Sequence, residues 1–244
     1  TELFSLESIN KWSGMNLHHL YNITFPVAGK TQVLLNDGKK QMLFDWKTKK
    51  EIWHTDNNFN ASIQASKFNY TTRATAYVKD CQLHVVDAKG KDKQLTNDGS
   101  RNIVYGQSVH RDEFGINGGL YWSNDGKKLA FYRMDQSMVT DFPLVNIPEL
   151  DWKPAEGESR IATPAPEKYP MAGEKSHKVT VGVYDMNTGN VIYLDAGDPT
   201  DRYFTNIAWS PDNKIIYMFE LNRDQNDCRL VSYNAEKGKK ISEL

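Results

Sequence analysis

Apolar and polar positions along this chain alternate in short runs broken by turn residues, and no stretch sustains the 3.6-residue period of a long amphipathic helix. The clearest unit is Leu120-Tyr121-Trp122, then the turn Ser123-Asn124-Asp125-Gly126, then the apolar run Lys128–Arg133. A second copy reads Ala208-Trp209-Ser210-Pro211-Asp212-Asn213, followed by Lys214–Glu220. Asp-Gly and Asp-Asn accept the positive φ that tight hairpin turns demand, so each copy predicts two antiparallel strands. Further along each unit an aromatic or aliphatic residue precedes Asp or Asn and a polar turn: Tyr184-Asp185-Met186-Asn187-Thr188-Gly189 and Tyr233-Asn234-Ala235-Glu236-Lys237-Gly238. The same signature occurs earlier, at Phe44-Asp45-Trp46-Lys47-Thr48-Lys49 and Val86-Asp87-Ala88-Lys89-Gly90.

Asp45 and Asp87 lie 42 residues apart and Asp185 and Asn234 lie 49 apart, while the 98 residues from Asp87 to Asp185 make one period plus an insertion. Four short antiparallel strands per period of about 40 to 50 residues is the pattern of a propeller blade. The expected fold is all-β, with about four blades of four antiparallel strands at roughly 1–60, 61–106, 107–198 and 199–244. In the first blade the strands are expected over Asn16–Thr24, Thr31–Leu35, Lys40–Asp45 and Glu51–His54. In the second they are expected over Ala61–Asn69, Thr72–Val78, Cys81–Asp87 and Lys93–Leu95. Val179–Tyr184 and Asn190–Leu194 complete the third, and Lys240–Leu244 ends the fourth. The insertion, 139–176, holds six of the nine prolines: Pro143, Pro148, Pro154, Pro164, Pro166 and Pro170. Proline cannot pair inside a sheet, so this segment is expected to leave the blade along an edge or into a cavity, and its middle, Ala155–Pro166, reads equally as disorder. Four blades do not close a ring, so an open arc, the front part of a larger ring, is expected. Its free edges predict edge-to-edge pairing into a homodimer.

Composition narrows the partners. An aromatic share of 11%, with six Trp and twelve Tyr, suits half-buried pleated surfaces. With 30 basic against 31 acidic residues, the net charge of -1 supplies no field to hold nucleic acid or an anionic membrane. No apolar run approaches the ~20 residues that span a bilayer. Cys81 and Cys228 lack a second Cys or His at zinc spacing and are expected to be buried thiols, a single long-range bridge between them being the other reading.

Chemistry-bearing motifs are few. Gly-x-Ser-x-Gly is missing, Gly106-Gln107-Ser108-Val109-His110 being the nearest approach. Neither a His-Glu-x-x-His, a phosphate-cradling loop nor a calcium loop occurs, so no cofactor and no catalytic residue is expected in this segment. What stands out is Val109-His110-Arg111-Asp112-Glu113-Phe114-Gly115, placed between the second and third blades in a link longer than such a link needs. Carboxylates carried on such an excursion could reach a central cavity and hold an ammonium group; a solvated loop with a local Arg–Asp pair is the other reading. Arg133 and Asp135 share a strand face and are expected to form a structural ion pair within the blade. Trp122 and Trp209, at equivalent places, are expected to pack in the core.

Taken in order, Val109–Gly115, Leu120–Gln136 and Tyr169-Pro170-Met171-Ala172-Gly173 ahead of Val179–Tyr184 resemble the N-terminal propeller of the dipeptidyl peptidase IV family. The resemblance covers most of the chain from about Ala65 onward. It implies an eight-bladed propeller joined to an α/β-hydrolase domain carrying Ser, Asp and His, which removes short peptides from a free N-terminus, usually after proline. It also implies a periplasmic or cell-surface protein. Acidic residues on a short helical excursion grip the substrate's α-ammonium in that family. By resemblance that role falls on Glu113, with Asp112 as partner. Dipeptidyl members carry paired glutamates behind an aromatic residue, whereas this chain has His110-Arg111-Asp112-Glu113-Phe114. Arg111 beside the acids is more similar to the bacterial prolyl tripeptidyl peptidases. The chain is thus expected to be the non-catalytic segment that gates entry and anchors the peptide N-terminus for release of di- or tripeptides, with its own hydrolase domain as partner. A non-enzymatic propeller serving as a protein-binding platform is the alternative, against which the Trp-Asp and Gly-His signatures of common scaffold repeats are missing.

Overall fold

A computed structural model describes residues 3–21, 23–56, 63–147 and 161–243. The chain opens on a short helix, α1 (Leu6–Ser13), which the apolar pattern does not reveal. Two turns bury only Ile9 completely, too little to register as a period. Its signal lies in the caps instead. Ser5 and Ser8 exchange side-chain and backbone hydrogen bonds at the N-terminus, and Gly14 ends the helix at φ 69°. Ile9 packs with Met15, Leu17, Val33, Leu35, Met42 and Phe44 in the first core. The first sheet is β1 (Gln32–Asn36), β2 (Lys40–Asp45) and β3 (Lys50–Asp56). The strand expected over Asn16–Thr24 is reduced to one bridge, Thr24 to Leu34.

The second sheet, β4 (Ile63–Phe68), β5 (Thr75–Lys79), β6 (Gln82–Val86) and β7 (Asp92–Gln94), is an antiparallel meander. The third holds β8 (Ile103–Tyr105), β9 (Leu120–Trp122) and β10 (Lys128–Asp135). An arm then carries the two-residue strands β11 (Asp141–Phe142), β12 (Val145–Asn146), β13 (Thr163–Pro164) and β14 (Glu167–Lys168), after which β15 (Lys178–Asp185) and β16 (Val191–Tyr193) return to the sheet. The fourth sheet is again a four-stranded meander: β17 (Arg202–Trp209), β18 (Ile215–Asn222), β19 (Cys228–Asn234) and β20 (Lys240–Glu243). The fold is all-β with antiparallel sheets, none of them closed among the described residues.

Both repeated signatures have one physical meaning each. In the first, an Asx oxygen ends a strand by accepting from two backbone N–H groups of the following turn. Asp45 accepts from Lys47 and Thr48, Asp87 from Lys89 and Lys91, Asp185 from Asn187 and Thr188, and Asn234 from Glu236 and Lys237, all at 2.8–3.0 Å. In the second, Ser123 donates to Asp125 and accepts from the Lys128 N–H, and Ser210 does the same with Asp212 and Ile215.

The second, third and fourth sheets share cores with their neighbours and are stapled by tryptophan. Phe131 and Tyr132, neighbours on β10, face opposite ways: Phe131 packs with Val78, Leu83 and Leu129 toward the second sheet, Tyr132 with Phe204, Ile216 and Val231 toward the fourth. The Trp122 indole N–H donates to Lys67 O at 2.9 Å, and that of Trp209 to Tyr121 O at 2.9 Å. Both rings are half-buried against these cores, as expected.

The proline-rich segment does leave the sheet. β11 pairs β14 and β12 pairs β13, giving an arm whose ladder is interrupted at Pro143 and Pro166, where no N–H is available. The part of Ala155–Pro166 up to residue 160 lies outside the described residues. Cys81 and Cys228 are unpaired thiols, Cys228 exposed and Cys81 half-buried, so neither is the buried thiol expected. Arg133 has a structural role, but its partners are the Asp98 carboxylate at 3.4 Å and the Tyr105 hydroxyl at 3.0 Å. Asp135 instead caps the Ser137 N–H.

Candidate functional site

β8 and β9 pair in line along one edge of β10: Tyr105 lies opposite Arg133 and Leu120 opposite Phe131. Tyr132 joins the two, its O accepting from Gly106 N–H at 2.9 Å and its N–H donating to Gly119 O at 3.0 Å. Residues 106–119 are therefore looped out of what is otherwise one strand of the third sheet, rather than linking two sheets as the sequence suggests. The neck is narrow. A Cβ on Gly119 would stand 2.1 Å from Gln107 O, so only glycine lets the two limbs close.

At the tip, His110, Arg111 and Asp112 all take left-handed φ values of 53°, 59° and 62°, forming one left-handed 3-10 turn. Glu113 is extended at φ -78°, and Phe114 and Gly115 return to positive φ. Left-handed helix costs an L-residue roughly 1–2 kcal/mol, so three in succession must be held from outside. Val109 and Ile116 anchor the limbs in the core shared with the fourth sheet. The His110 ring is 4% exposed; its Nε2 accepts from the Phe204 N–H at 3.2 Å and its edge meets Tyr203 at 4.9 Å. Phe114 rests on the same Tyr203 ring at 5.1 Å, and Asn206 donates to Phe114 O at 3.0 Å. Asn206, itself at φ 54°, sits in a bulge of β17 that turns its amide toward the tip.

Beside the tip opens a cleft of about 410 Å³. Glu113, Arg111 and His110 form one wall; Tyr169, Ser176 and His177 from the arm's return form another; Tyr203, Arg223 and Gln225 close it. Both guanidinium groups are already occupied. Arg111 donates to Glu167 Oε1 at 2.7 Å and lies 5.3 Å over the Tyr169 ring, and Glu167 pushes its pKa up. Arg223 donates to Asp201 Oδ1 at 2.8 Å and to Glu174 O. His110 and His177 are held neutral, with pKa values pulled down to about 3 and about 4: burial acts first on both, then the Arg111 guanidinium on His177 and, on His110, the like charge that His177 would carry if protonated. Glu113 thus carries the one carboxylate on the cleft wall and makes no ion pair or side-chain hydrogen bond among the described residues. Asp112 is exposed on the turn, outside the cleft lining, with Arg111 as its charged neighbour.

Of the three residues singled out from sequence, the structure places Glu113 and Arg111 on the cleft and Asp112 beside it. Tyr203, His177 and Arg223 escaped notice. The available sign for Arg223 was the long Asn222–Asp227 connection, where a two-residue hairpin turn would have sufficed.

The profile described as the dipeptidyl peptidase IV (DPP IV) N-terminal region matches residues 21–244. The chain belongs to this family. It is 41% identical to a protein of Bacteroides ovatus assigned as a dipeptidyl aminopeptidase IV, whose solved structure it matches over 100% of its own length and 32% of that chain, with a TM-score of 0.80. Porphyromonas gingivalis dipeptidyl peptidase 4 shares the fold at 20% identity and a TM-score of 0.67, over 91% of this chain and 30% of that one. Among curated relatives, the protein assigned as dipeptidyl-aminopeptidase B in Phaeosphaeria nodorum is 30% identical over 76% of this chain and 22% of its own length. Its counterpart in Pyrenophora tritici-repentis is 29% identical over 74% of this chain and 22% of its own. The chain therefore spans about a fifth of the curated relatives it matches. Among the described residues no helix is long and apolar enough to cross a membrane.

Proposed function

We propose that the four sheets are successive blades of a β-propeller whose parent protein is an exported serine exopeptidase of the periplasm or cell surface. In this reading an α/β-hydrolase domain supplies the nucleophile, and the present segment gates entry and holds the substrate's N-terminus. The repeating Asx turns, the tryptophan staples and the similarity to peptidases support it. The observation that carries it is Glu113. An unneutralised carboxylate stands on the wall of a cleft whose histidines are neutral and whose cations are paired, and it is held there by a turn that costs strain. Such a group attracts a cation, and a peptide's α-ammonium can donate three charge-assisted hydrogen bonds to acceptors there. Fixing the N-terminus at a set distance from the nucleophile measures out the residues to be released and lowers the entropic cost of aligning the scissile bond. The distance from Glu113 to that nucleophile sets whether di- or tripeptides are released, with Asp112, exposed on the same turn, adding to the field.

The test is Glu113→Gln in the full-length protein, assayed on proline-containing peptides with free or acetylated N-termini, products being weighed by mass spectrometry. Loss of one charged hydrogen-bond partner should lower kcat/KM for the free-amine peptides roughly 10- to 100-fold. The acetylated ones should not respond. Unchanged cleavage of free-amine peptides overturns the assignment.

A further inference from the structure

Arg111 poses a problem for an anionic subsite, because a guanidinium two residues from Glu113 would compete for its carboxylate and repel an incoming ammonium. Its charge is answered from the arm. Glu167 Oε1 accepts from Arg111 at 2.7 Å and Tyr169 lies under the guanidinium plane. Glu167 is itself fixed on both sides. Pro166 O accepts from Arg101 at 2.8 Å, Arg101 also grips Asp141 with both terminal nitrogens, and Lys168 reaches Val139 O at 2.8 Å and Asp141 at 3.2 Å.

The Arg111–Glu167 pair is substantially solvent-exposed, with side-chain exposures of 38% and 47%. A pair so exposed contributes little to stability, so a folding role does not explain it. We propose that Glu167 is a positioning residue for the N-terminal subsite: it turns Arg111 away from Glu113, cancels its charge, and adds a hold from the arm to those that His110 and Asn206 provide on the left-handed turn. The arm is thereby part of the site, and the chemistry it serves is recognition of a cationic peptide N-terminus. This rests on the reading of Glu113 given above.

The experiment uses the full-length protein and compares Glu167→Gln, Glu167→Asp, Arg111→Gln, the double variant Glu167→Gln/Arg111→Gln and Glu113→Gln, with a free-amine peptide as probe. Releasing one like charge at the edge of the subsite, partly screened by water, should raise KM about three- to tenfold in Glu167→Gln. Its kcat should stay within about twofold, and the KM penalty should shrink as salt shortens the Debye length from ~10 Å at 0.1 M toward ~3 Å at 1 M. Glu167→Asp should restore most of the loss, and adding Arg111→Gln should restore it without any carboxylate at 167, which a merely structural role of Glu167 would not allow. An unchanged KM in Glu167→Gln beside a raised KM in Glu113→Gln overturns the inference and leaves the ammonium reading standing. A penalty that Arg111→Gln does not relieve overturns it too. An unchanged KM in Glu113→Gln overturns the reading on which it rests.

Discussion

Two buried histidines line the cleft within a few residues of charged groups, and their protonation sets a pH limit on the site. His110 and His177 are 4% and 3% exposed, with pKa values near 3 and 4 against an ordinary value of about 6.5. Below about pH 6.5 the unfolded chain takes up protons that the folded chain refuses, so stability from this source is complete above that pH. It is lost as pH falls toward 4 and then 3, by at most about 1.4 kcal/mol per pH unit for each histidine. Hydrogen exchange on the full-length protein should show residues 109–116 and 203–206 losing protection between pH 6.5 and 4.5, corrected for intrinsic rates. His177→Gln should flatten that dependence, and a flat profile in the unsubstituted protein would show that the histidines are not held neutral. At this scale the sequence exposed the charged members of the site but hid their conformations. Arg111-Asp112-Glu113 is conspicuous in composition, whereas the left-handed turn under it is hidden: His and Asp enter that region singly, and nothing in the sequence announces three such residues in a row. Nothing local marks Arg133 for Asp98, because that contact arises from a loop 35 positions away.

Elements were more legible than residues wherever a turn motif fixed the register. Hairpins at Ser123–Lys128 and Ser210–Ile215 could be placed because their Ser and Asp side chains form the turn themselves. α1 and the lost first strand could not, since one depends on caps and the other on tertiary pairing. The interrupted strand β8–β9 was also hidden, because its two halves are separated by residues 106–119 and come into line only where both pair with β10 on either side of Tyr132. The neck of that excursion gives a direct test. Gly119 leaves no room for a methyl group, while at Gly118 a Cβ would meet nothing within 4 Å. Gly119→Ala should cost about 1–3 kcal/mol through backbone displacement at the neck. Gly118→Ala should stay within about 0.5 kcal/mol. Thermal melts of the two variants would decide the matter, and equal melting temperatures would mean that the neck is wider than the hydrogen bonds at Tyr132 imply.

At the scale of the whole molecule the sheets are joined in series, and the indole joints of the second, third and fourth sheets converge on the same dipeptide. Trp209 donates to Tyr121 O from the fourth sheet, and Trp122, the next residue, donates to Lys67 O in the second. Tyr121 and Trp122 belong to β9, a three-residue strand paired on one side only, which is also the returning limb of the looped-out tip. A strand so short has little ladder of its own, so the two indole hydrogen bonds are a large part of what fixes it. Replacing either Trp by Phe keeps most of the apolar ring and removes the N–H, at a cost of about 1 kcal/mol each. Had the joints been independent, the double variant would cost the sum. Because both act through β9, the first loss should already loosen the second, and the double variant should fall short of the sum by about 0.5 kcal/mol or more. Urea denaturation of the four proteins measures this coupling. The same displacement of β9 should reach the tip, so in the proposed reading either variant raises KM for free-amine peptides although neither indole touches the cleft. Additive stabilities with unchanged KM would mean that the sheets are joined independently and that the tip takes its position from His110 and Asn206 alone.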